Sequence, residues 1–314
     1  MIADPVIILA APRSFSSLTC AMLGQHPQMY GILETQVFEV DSMREWWTRY
    51  GKANHDGDGL LRSVAEIVYG GQTQWTIEWA RAWLWERRDC CGTADVFNEL
   101  AERLSPLRLV EKTPIEGPGE EVEQKVRRRF HRLPRARFLH LVRHPMGYCL
   151  SQLEHLQRMS ESSRHPNRMA RRYAWVTDTS TDPPSVDPQV LWYRVNRAIT
   201  TFLVKLPAKQ QLTVRGEDLV AEPDEHLRVI CRWLGVRSDP KAIEEMEHPE
   251  HWPFAAPGPS NGRWGGDPKF FRDPLLRLNH APSGPLLSKG LPWRTDGKRF
   301  SQQVCQLARQ YGYS

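Results

Sequence analysis

Residues 5–20 pass from a short apolar run, through a polar turn, into a helical pattern. Val6 to Ala10 are typical of a buried strand, and Leu18, Met22 and Leu23 fall at helical intervals. The turn between the two patterns contains one cation and three hydroxyls, on Arg13, Ser14, Ser16 and Ser17. A strand that restarts as a helix directs free backbone N–H groups to one point, which favours an anion. Two interpretations stay open: a phosphate cradle, or a helix that is merely capped by a serine.

The same alternation of strand and helix continues along the chain. Further strand candidates lie at residues 28–33, 107–110, 137–142 and 211–214, and helical patterns cover about 120–133, 147–159, 189–206 and 223–234. Such alternation predicts a mostly parallel sheet with helices on both faces. We therefore expect an α/β fold of three layers, αβα, with a central, mostly parallel sheet and helical insertions.

Four charged residues follow four different strand candidates: Arg13, Glu34, Lys112 and Arg143. Ligands of open parallel sheets bind beyond the carboxyl ends of the strands, so these side chains can share one crevice. Three cations there indicate a ligand with more than one phosphate, and one carboxylate can act as a general base on a hydroxyl. The alternative is that the arginines are surface charges and that Lys112 and Glu34 form an ordinary ion pair.

Standard nucleotide motifs are missing from the first turn. No glycine or lysine occurs between Ala10 and Leu18, so the turn matches neither a Walker A loop nor a dinucleotide-binding fingerprint. This makes an ATP-dependent kinase the weaker interpretation.

Composition narrows the class of protein. The 314 residues contain no apolar run of about 18 residues, and Met1 to Asp4 carry no basic segment of a secretory signal, so we expect a cytoplasmic protein without a membrane span. Six cysteines without CxxC spacing predict no metal site. The net charge of +5 is concentrated at residues 125–137 and 158–172. Without a nucleic-acid-binding motif, these runs predict solvated helix faces and no nucleic-acid partner.

Residues 38–104 form a helical, tryptophan-rich segment. Trp75, Trp79 and Trp83 recur every fourth residue and so are expected to share a helix face. That stripe predicts core packing, with the wall of an acceptor pocket as the alternative.

Several of these motifs resemble those of the sulfotransferases that use 3′-phosphoadenosine 5′-phosphosulfate (PAPS). Residues 12–18 look like their 5′-phosphosulfate loop in the tyrosylprotein and bacterial small-molecule branches. Residues 138–145, with Ser151 eight positions after Arg143, look like their 3′-phosphate motif. The Glu-Lys-Thr-Pro sequence at 111–114 and the segment 215–219 are similar to further family elements, and the likeness continues loosely into 262–268.

The resemblance implies a P-loop-type fold and a single sulfotransferase domain over 1–314. It implies an acceptor-side segment at about 38–104 and a C-terminal lid or tail at about 250–314, for which a plain surface loop is the alternative. The implied catalytic residues are Arg13, Glu34 and Lys112. The implied PAPS-binding residues are Arg13, Ser14, Phe15, Ser16, Ser17, Arg143, Ser151 and Arg263. No metal is implied, and His144 or His155 remains an alternative to Glu34 as the base.

Two positions depart from the family pattern. Phe15 stands where the loop usually has glycine, and a positive φ there would strain phenylalanine by roughly 1 kcal/mol. Gly216 replaces a tyrosine that lies near the adenine in many relatives, so the adenine contact must come from elsewhere.

The expected acceptor is a hydroxyl on a small molecule or on a chain carried by an acyl or peptidyl carrier protein. This follows from similarity to sulfotransferases associated with bacterial polyketide and nonribosomal peptide pathways. An acidic carrier could then dock on the arginines at 127–137 or 164–172. The alternatives are a P-loop-type small-molecule kinase and a non-catalytic nucleotide-binding protein.

Overall fold

A five-stranded, all-parallel sheet forms the centre of the protein. The computed structural model describes residues 3–51, 55–162, 177–178, 185–278, 287–294 and 296–314. The sheet strands, in the spatial order β2-β3-β1-β4-β7, are β1 Val6–Leu9, β2 Met29–Gly31, β3 Arg108–Glu111, β4 Arg137–Val142 and β7 Gln211–Arg215. Two short antiparallel strands, β5 Thr177–Asp178 and β6 Ser185–Val186, pair apart from this sheet.

Helices flank the sheet and fill the long insertion between its second and third strands. They are α1 Ser16–Gly24, α2 Met43–Trp46, α3 Asp58–Tyr69, α4 Gln74–Arg87, α5 Thr93–Leu104, α6 Gly119–Arg132, α7 Pro145–Ser162, α8 Gln189–Leu203, α9 Gly216–Ala221, α10 Pro223–Leu234, α11 Pro240–Met246, α12 Pro268–Arg272 and α13 Gln302–Gln310. A π-helical turn lies at Trp47–Gly51, and 3₁₀ turns lie at His55–Gly57, Ala208–Gln210 and Pro249–His251. The α/β prediction is confirmed, and every predicted sheet strand is present.

The first strand lies in the middle of the sheet. All four residues of β1 are buried, as expected of an apolar strand that is covered on both faces. Val6 pairs with Val110 on one side and with Arg137 on the other. The loops after β1, β3 and β4 are therefore neighbours at the carboxyl edge, where the predicted ligand crevice lies.

The tryptophan stripe was predicted as core, and this prediction is wrong for two of its members. Trp75 and Trp79 are 74% and 52% exposed, whereas Trp83 is 7% exposed and packs into the core. Each step of four residues turns about 40° around a helix, so positions eight residues apart no longer share one face. Another tryptophan of the segment, Trp46, is fully buried, and its Nε1 donates to the Thr35 carbonyl at 2.9 Å.

The described part of the chain contains no helix that is long and apolar enough to cross a membrane. Of the two basic runs, residues 164–172 lie outside the described residues. The helix α6 carries the other run, and Arg128 and Arg132 pair there with Asp41.

Candidate active site

The loop between β1 and α1 has the conformation of an anion-binding turn. Arg13 and Phe15 both have φ of 64°, and α1 begins directly afterwards at Ser16. Thr19 N donates to the Phe15 carbonyl at 2.9 Å, which closes the first helical turn. The N–H groups before Thr19 have no partner within the helix, since a helix leaves its first donors free. Phe15 thus has the positive φ that was considered from the sequence, and phenylalanine occupies a backbone position that favours glycine.

A buried lysine connects this loop to the carboxylate after β2. Lys112 follows β3, is completely buried, and donates from Nζ to Ser17 Oγ at 2.7 Å and to Glu34 Oε1 at 2.5 Å. The side chain of Glu34 is 22% exposed. Burial raises the pKa of Glu34 above its usual value, and the neighbouring Lys112 offsets part of that rise. The pair therefore combines a fixed cation with a carboxylate whose proton affinity exceeds that of a free glutamate.

A second buried carboxylate, that of Glu111, connects the loops that carry Glu34 and Lys112 through hydrogen bonds. Glu111 Oε1 accepts hydrogen bonds from the hydroxyls of Thr35, at 3.1 Å, and Thr113. Thr113 Oγ1 in turn accepts from the backbone N–H of Gln36 at 3.3 Å. These bonds fix the backbone on either side of Glu34 and Lys112. The Glu-Lys-Thr-Pro motif thus supplies both the buried cation and its support.

The arginine after β4 reaches the same loop. Arg143 Nη1 donates to the Arg13 carbonyl at 2.7 Å, and its Cζ lies 4.5 Å from the centre of the Phe15 ring. Arg143 Nε is buried without a hydrogen-bond partner. Burial lowers the pKa of Arg143, yet the group remains a cation. Ser151 on α7 accepts from Arg13 Nε at 3.3 Å, so both arginines and the serine meet at one place.

A C-terminal segment completes the wall opposite the loop. Asp267 Oδ1 lies 2.7 Å from Arg13 Nη1, and the backbone N–H of Asp267 donates to Ser17 Oγ at 3.4 Å. Burial opposes ionisation of Asp267, but Arg13, the backbone N–H of Lys269 and Lys112 together lower the pKa of this carboxyl. Gly265 accepts from Glu34 N at 2.8 Å and has φ of 108°; a Cβ there would lie 2.4 Å from the Cα of Gly59. Only glycine permits this approach.

The segment that leads to Asp267 is anchored from α3 by a buried arginine. Arg62 donates to the carbonyls of Ala256 at 2.7 Å and Trp264 at 3.1 Å, and to Gln72 Oε1 at 2.7 Å. Burial lowers the pKa of Arg62 to about 10. Farther along, Lys269 pairs with Glu154 of α7. The stretch predicted as a lid is thus held before Gly265 by Arg62, and after Asp267 by the ion pair of Lys269, which lines the cavity.

These residues enclose a cavity of about 820 Å³. Its lining includes these predicted site residues: Arg13, Ser14, Phe15, Ser16, Ser17, Glu34, Arg143 and Ser151. Lys112 contacts two lining residues from beneath. The lining also includes the polar residues Gln36, Glu39, Tyr50, Glu116 and Lys125. No tryptophan of the described residues lines the cavity, so the alternative of a tryptophan wall for the acceptor pocket is not met in that part of the chain; the 38–104 segment contributes the aromatic side chain of Tyr50 instead.

Two residues considered from the sequence stand apart from the cavity. Arg263 is exposed, lies over the Trp264 ring at 5.1 Å, and is not part of the lining. His144 also does not line the cavity; burial lowers its pKa to about 4, and its Nδ1 accepts from Met146 N at 3.1 Å. His155 does line the cavity and remains the alternative base to Glu34.

Sequence reasoning missed Asp267 as a site residue. Its signal was an aspartate placed before Pro268, the pattern of a helix N-cap, which gave no hint of a contact with Arg13. Among the described residues, ligand atoms suited to a metal ion cluster at His248, Glu250 and His251, none of which lines the cavity.

Comparison with known proteins gives the same assignment. The profile described as "Sulfotransferase family" matches residues 5–240. The sulfotransferase domain from the curacin biosynthetic pathway superposes with a TM-score of 0.74 at 21% identity, covering 99% of this chain and 98% of that one. The sulfotransferase domain from the Synechococcus PCC 7002 olefin synthase gives 0.70 at 23% identity, covering 99% and 96%. At these identities the likeness establishes the fold, and curated protein sequences give no significant match. Because the family profile covers well over half of the chain, the protein belongs to the sulfotransferase family.

Proposed function

We propose that this sulfotransferase moves a sulfuryl group from PAPS to a hydroxyl of its acceptor, releasing adenosine 3′,5′-bisphosphate and a sulfate ester. The observation that carries the proposal is the convergence of Arg13, Lys112 and Arg143, from three neighbouring strand ends, on one cavity. An ATP site would instead call for the glycine-rich loop and lysine that the first turn lacks.

The residues fit the two ends of such a donor. Arg13, the α1 N-terminus and the hydroxyls of Ser14, Ser16 and Ser17 would hold the 5′-phosphosulfate, because free N–H groups and a cation converge there. Arg143, whose buried Nε has no partner, and Ser151 would hold the 3′-phosphate. An unpartnered donor on a buried arginine is the polar atom that a phosphate oxygen would satisfy.

The chemical step assigns a role to each charged side chain. The acceptor oxygen forms a bond to sulfur while the bond from sulfur to the 5′-phosphate oxygen breaks, and Glu34 takes the acceptor proton. Its raised pKa suits a general base that must also release that proton afterwards. Lys112 and Arg13 stabilise the negative charge that grows on the leaving phosphate. No metal ion has a role in this scheme.

The acceptor side belongs to the proposal as well. We propose that 1–314 act as one sulfotransferase domain, that the helical insertion at 38–104 contributes the acceptor side, and that 250–314 contribute a lid and tail. The polar lining near Tyr50 and Lys125 supports an acceptor that carries hydrogen-bonding groups beside its reactive hydroxyl. A hydroxyacyl chain on a carrier protein meets this requirement, with the basic face of α6 as the carrier's docking surface.

A binding titration tests the donor assignment. We expect the wild-type protein to bind adenosine 3′,5′-bisphosphate at least tenfold more tightly than ADP, since Arg143 has a 3′-phosphate to contact only in the former. Arg143→Met should remove that preference, whereas the exposed Arg237→Met should keep it. Equal affinity for the two nucleotides in the wild type would contradict the proposal.

Turnover assays separate the two alternative functions. Transfer from PAPS that persists in excess chelator argues against a magnesium-dependent kinase. Glu34→Gln should keep nucleotide affinity and lose transfer, and His155→Gln tests the other lining candidate for the base. A variant at Glu34 with full turnover would remove it from the mechanism.

A further inference from the structure

The backbone conformation at Phe15 is one that glycine adopts more easily than phenylalanine. Its φ of 64° and ψ of 12° are left-handed, and a side chain at this position costs free energy that glycine avoids. The loop therefore tolerates phenylalanine only because the ring makes contacts that offset this cost. Those contacts identify what the ring does.

The ring of Phe15 makes two notable contacts beside the cavity that it lines. One is with the guanidinium of Arg143, whose Cζ lies 4.5 Å from the ring centre. The other is with Gly216, at the start of α9, where a Cβ would lie 2.4 Å from Phe15 Cδ2. No side chain at position 216 can coexist with the ring as it is placed, so glycine there makes the space that the ring occupies.

The two unusual positions are thus one structural unit, although they lie 201 positions apart in the sequence. Arg143 is held by a single hydrogen bond, from Nη1 to the Arg13 carbonyl, and by the ring face, while its Nε has no partner. A guanidinium that stacks on an aromatic face keeps its plane and leaves its edge for an anion.

We propose that Phe15 is a positioning residue for Arg143, with Gly216 as its required partner, and that this pair sets the selectivity for a 3′-phosphorylated nucleotide. The inference rests on the proposed function, because it assumes that Arg143 binds the 3′-phosphate. Phe15 acts here through Arg143 and the orientation of its guanidinium.

The test compares adenosine 3′,5′-bisphosphate with AMP, which lacks only the 3′-phosphate. The measured quantity is the ratio of the two dissociation constants by calorimetry, for wild type, Phe15→Gly, Phe15→Leu, Gly216→Ala and Phe15→Gly/Gly216→Ala. Arg143→Met gives the ratio without the guanidinium contact to the 3′-phosphate. A loosened loop would weaken both nucleotides alike and leave the ratio unchanged, so the ratio separates positioning from general stability.

We expect Phe15→Gly to lower the preference for the bisphosphate about tenfold, as fits the loss of a charge-assisted contact. Gly216→Ala should lower this preference as well. The double variant should keep at least the preference of Phe15→Gly, because its alanine no longer clashes with a ring. Phe15→Leu should also show a smaller preference for the bisphosphate than wild type, because leucine fills space but has no π face for the guanidinium. A ratio within threefold of wild type in Phe15→Gly would overturn the inference, and so would additive losses in the double variant. Wild type without any preference over AMP would instead refute the proposed function.

Discussion

Replacing Lys112 with methionine is the sharpest test of the electrostatics of this site. The change keeps most of the length of the side chain and removes a completely buried cation that lies 2.5 Å from Glu34 and 2.7 Å from Ser17. At an effective dielectric constant near 20, two unit charges this close attract by about 7 kcal/mol before desolvation is subtracted. Because breaking one side of a buried pair leaves an uncompensated charge, we expect the free energy of unfolding to fall by about 3 kcal/mol at pH 8.

The pH dependence of that loss has a definite sign. Lys112 lowers the pKa of Glu34, so its removal raises a pKa that burial has already raised. Between the ordinary glutamate value of 4.5 and the raised value, the folded variant binds more protons than the unfolded chain. Its stability therefore falls as pH rises through that interval, and the deficit relative to wild type is smaller at pH 4 than at pH 8. The acidic limb of the activity profile moves to higher pH for the same reason.

Urea denaturation at several pH values, together with the pH profile of kcat/KM, measures both effects. The double variant Lys112→Met/Glu34→Gln removes both charges of the pair and should recover about 2 kcal/mol of the loss. Lys241→Met, at an exposed position, is the matched control and should change neither quantity. A stability loss below 1 kcal/mol, or an acidic limb that stays in place, would refute the reasoning. The expected loss of turnover is about 100-fold or more, as for removal of a donor that stabilises developing charge.

Three further outcomes follow from the contacts around the cavity. Asp267→Asn removes the carboxylate that lies 2.7 Å from Arg13, so adenosine 3′,5′-bisphosphate should bind severalfold more tightly in a calorimetric titration; unchanged or weaker binding would contradict this. Tyr313→Phe removes the hydroxyl that donates to Glu217 at 2.8 Å, which should cost about 1–2 kcal/mol in urea denaturation, with no loss arguing against the bond. Arg62→Met removes the hydrogen bonds to the carbonyls of Ala256 and Trp264 and should cost about 3 kcal/mol, measured in the same way; a loss under 1 kcal/mol would show that the loop is held by other contacts.

The sheet could be predicted because its strands are short apolar runs that end in charged motifs. Strand candidates at 107–110 and 137–142 coincide closely with β3 and β4, and the helix predicted at 223–234 ends before Gly235, whose left-handed φ of 69° suits a helix C-cap. Parallel pairing then places the ends of neighbouring strands together, so the meeting of Arg13, Lys112 and Arg143 needed only topology.

Contacts between distant loops could not be predicted in the same way. Helical spacing shows which tryptophans are near each other on α4, but not whether another element covers them, and Trp75 and Trp79 remain exposed. The sequence shows Phe15 and Gly216 as two separate departures from the family pattern. Only the structure shows that glycine at position 216 leaves room for the Phe15 ring.

The central place of β1 has a consequence for how the protein is made. Its first residue, Val6, pairs with Val110 on one side and with Arg137 on the other, so β1 cannot be enclosed until both later strands of the sheet have been synthesised. Pairing across such long stretches of chain is slow to form. Nascent chains released before residue 137 would therefore contain the whole phosphate loop as a sequence and yet be unable to retain a nucleotide.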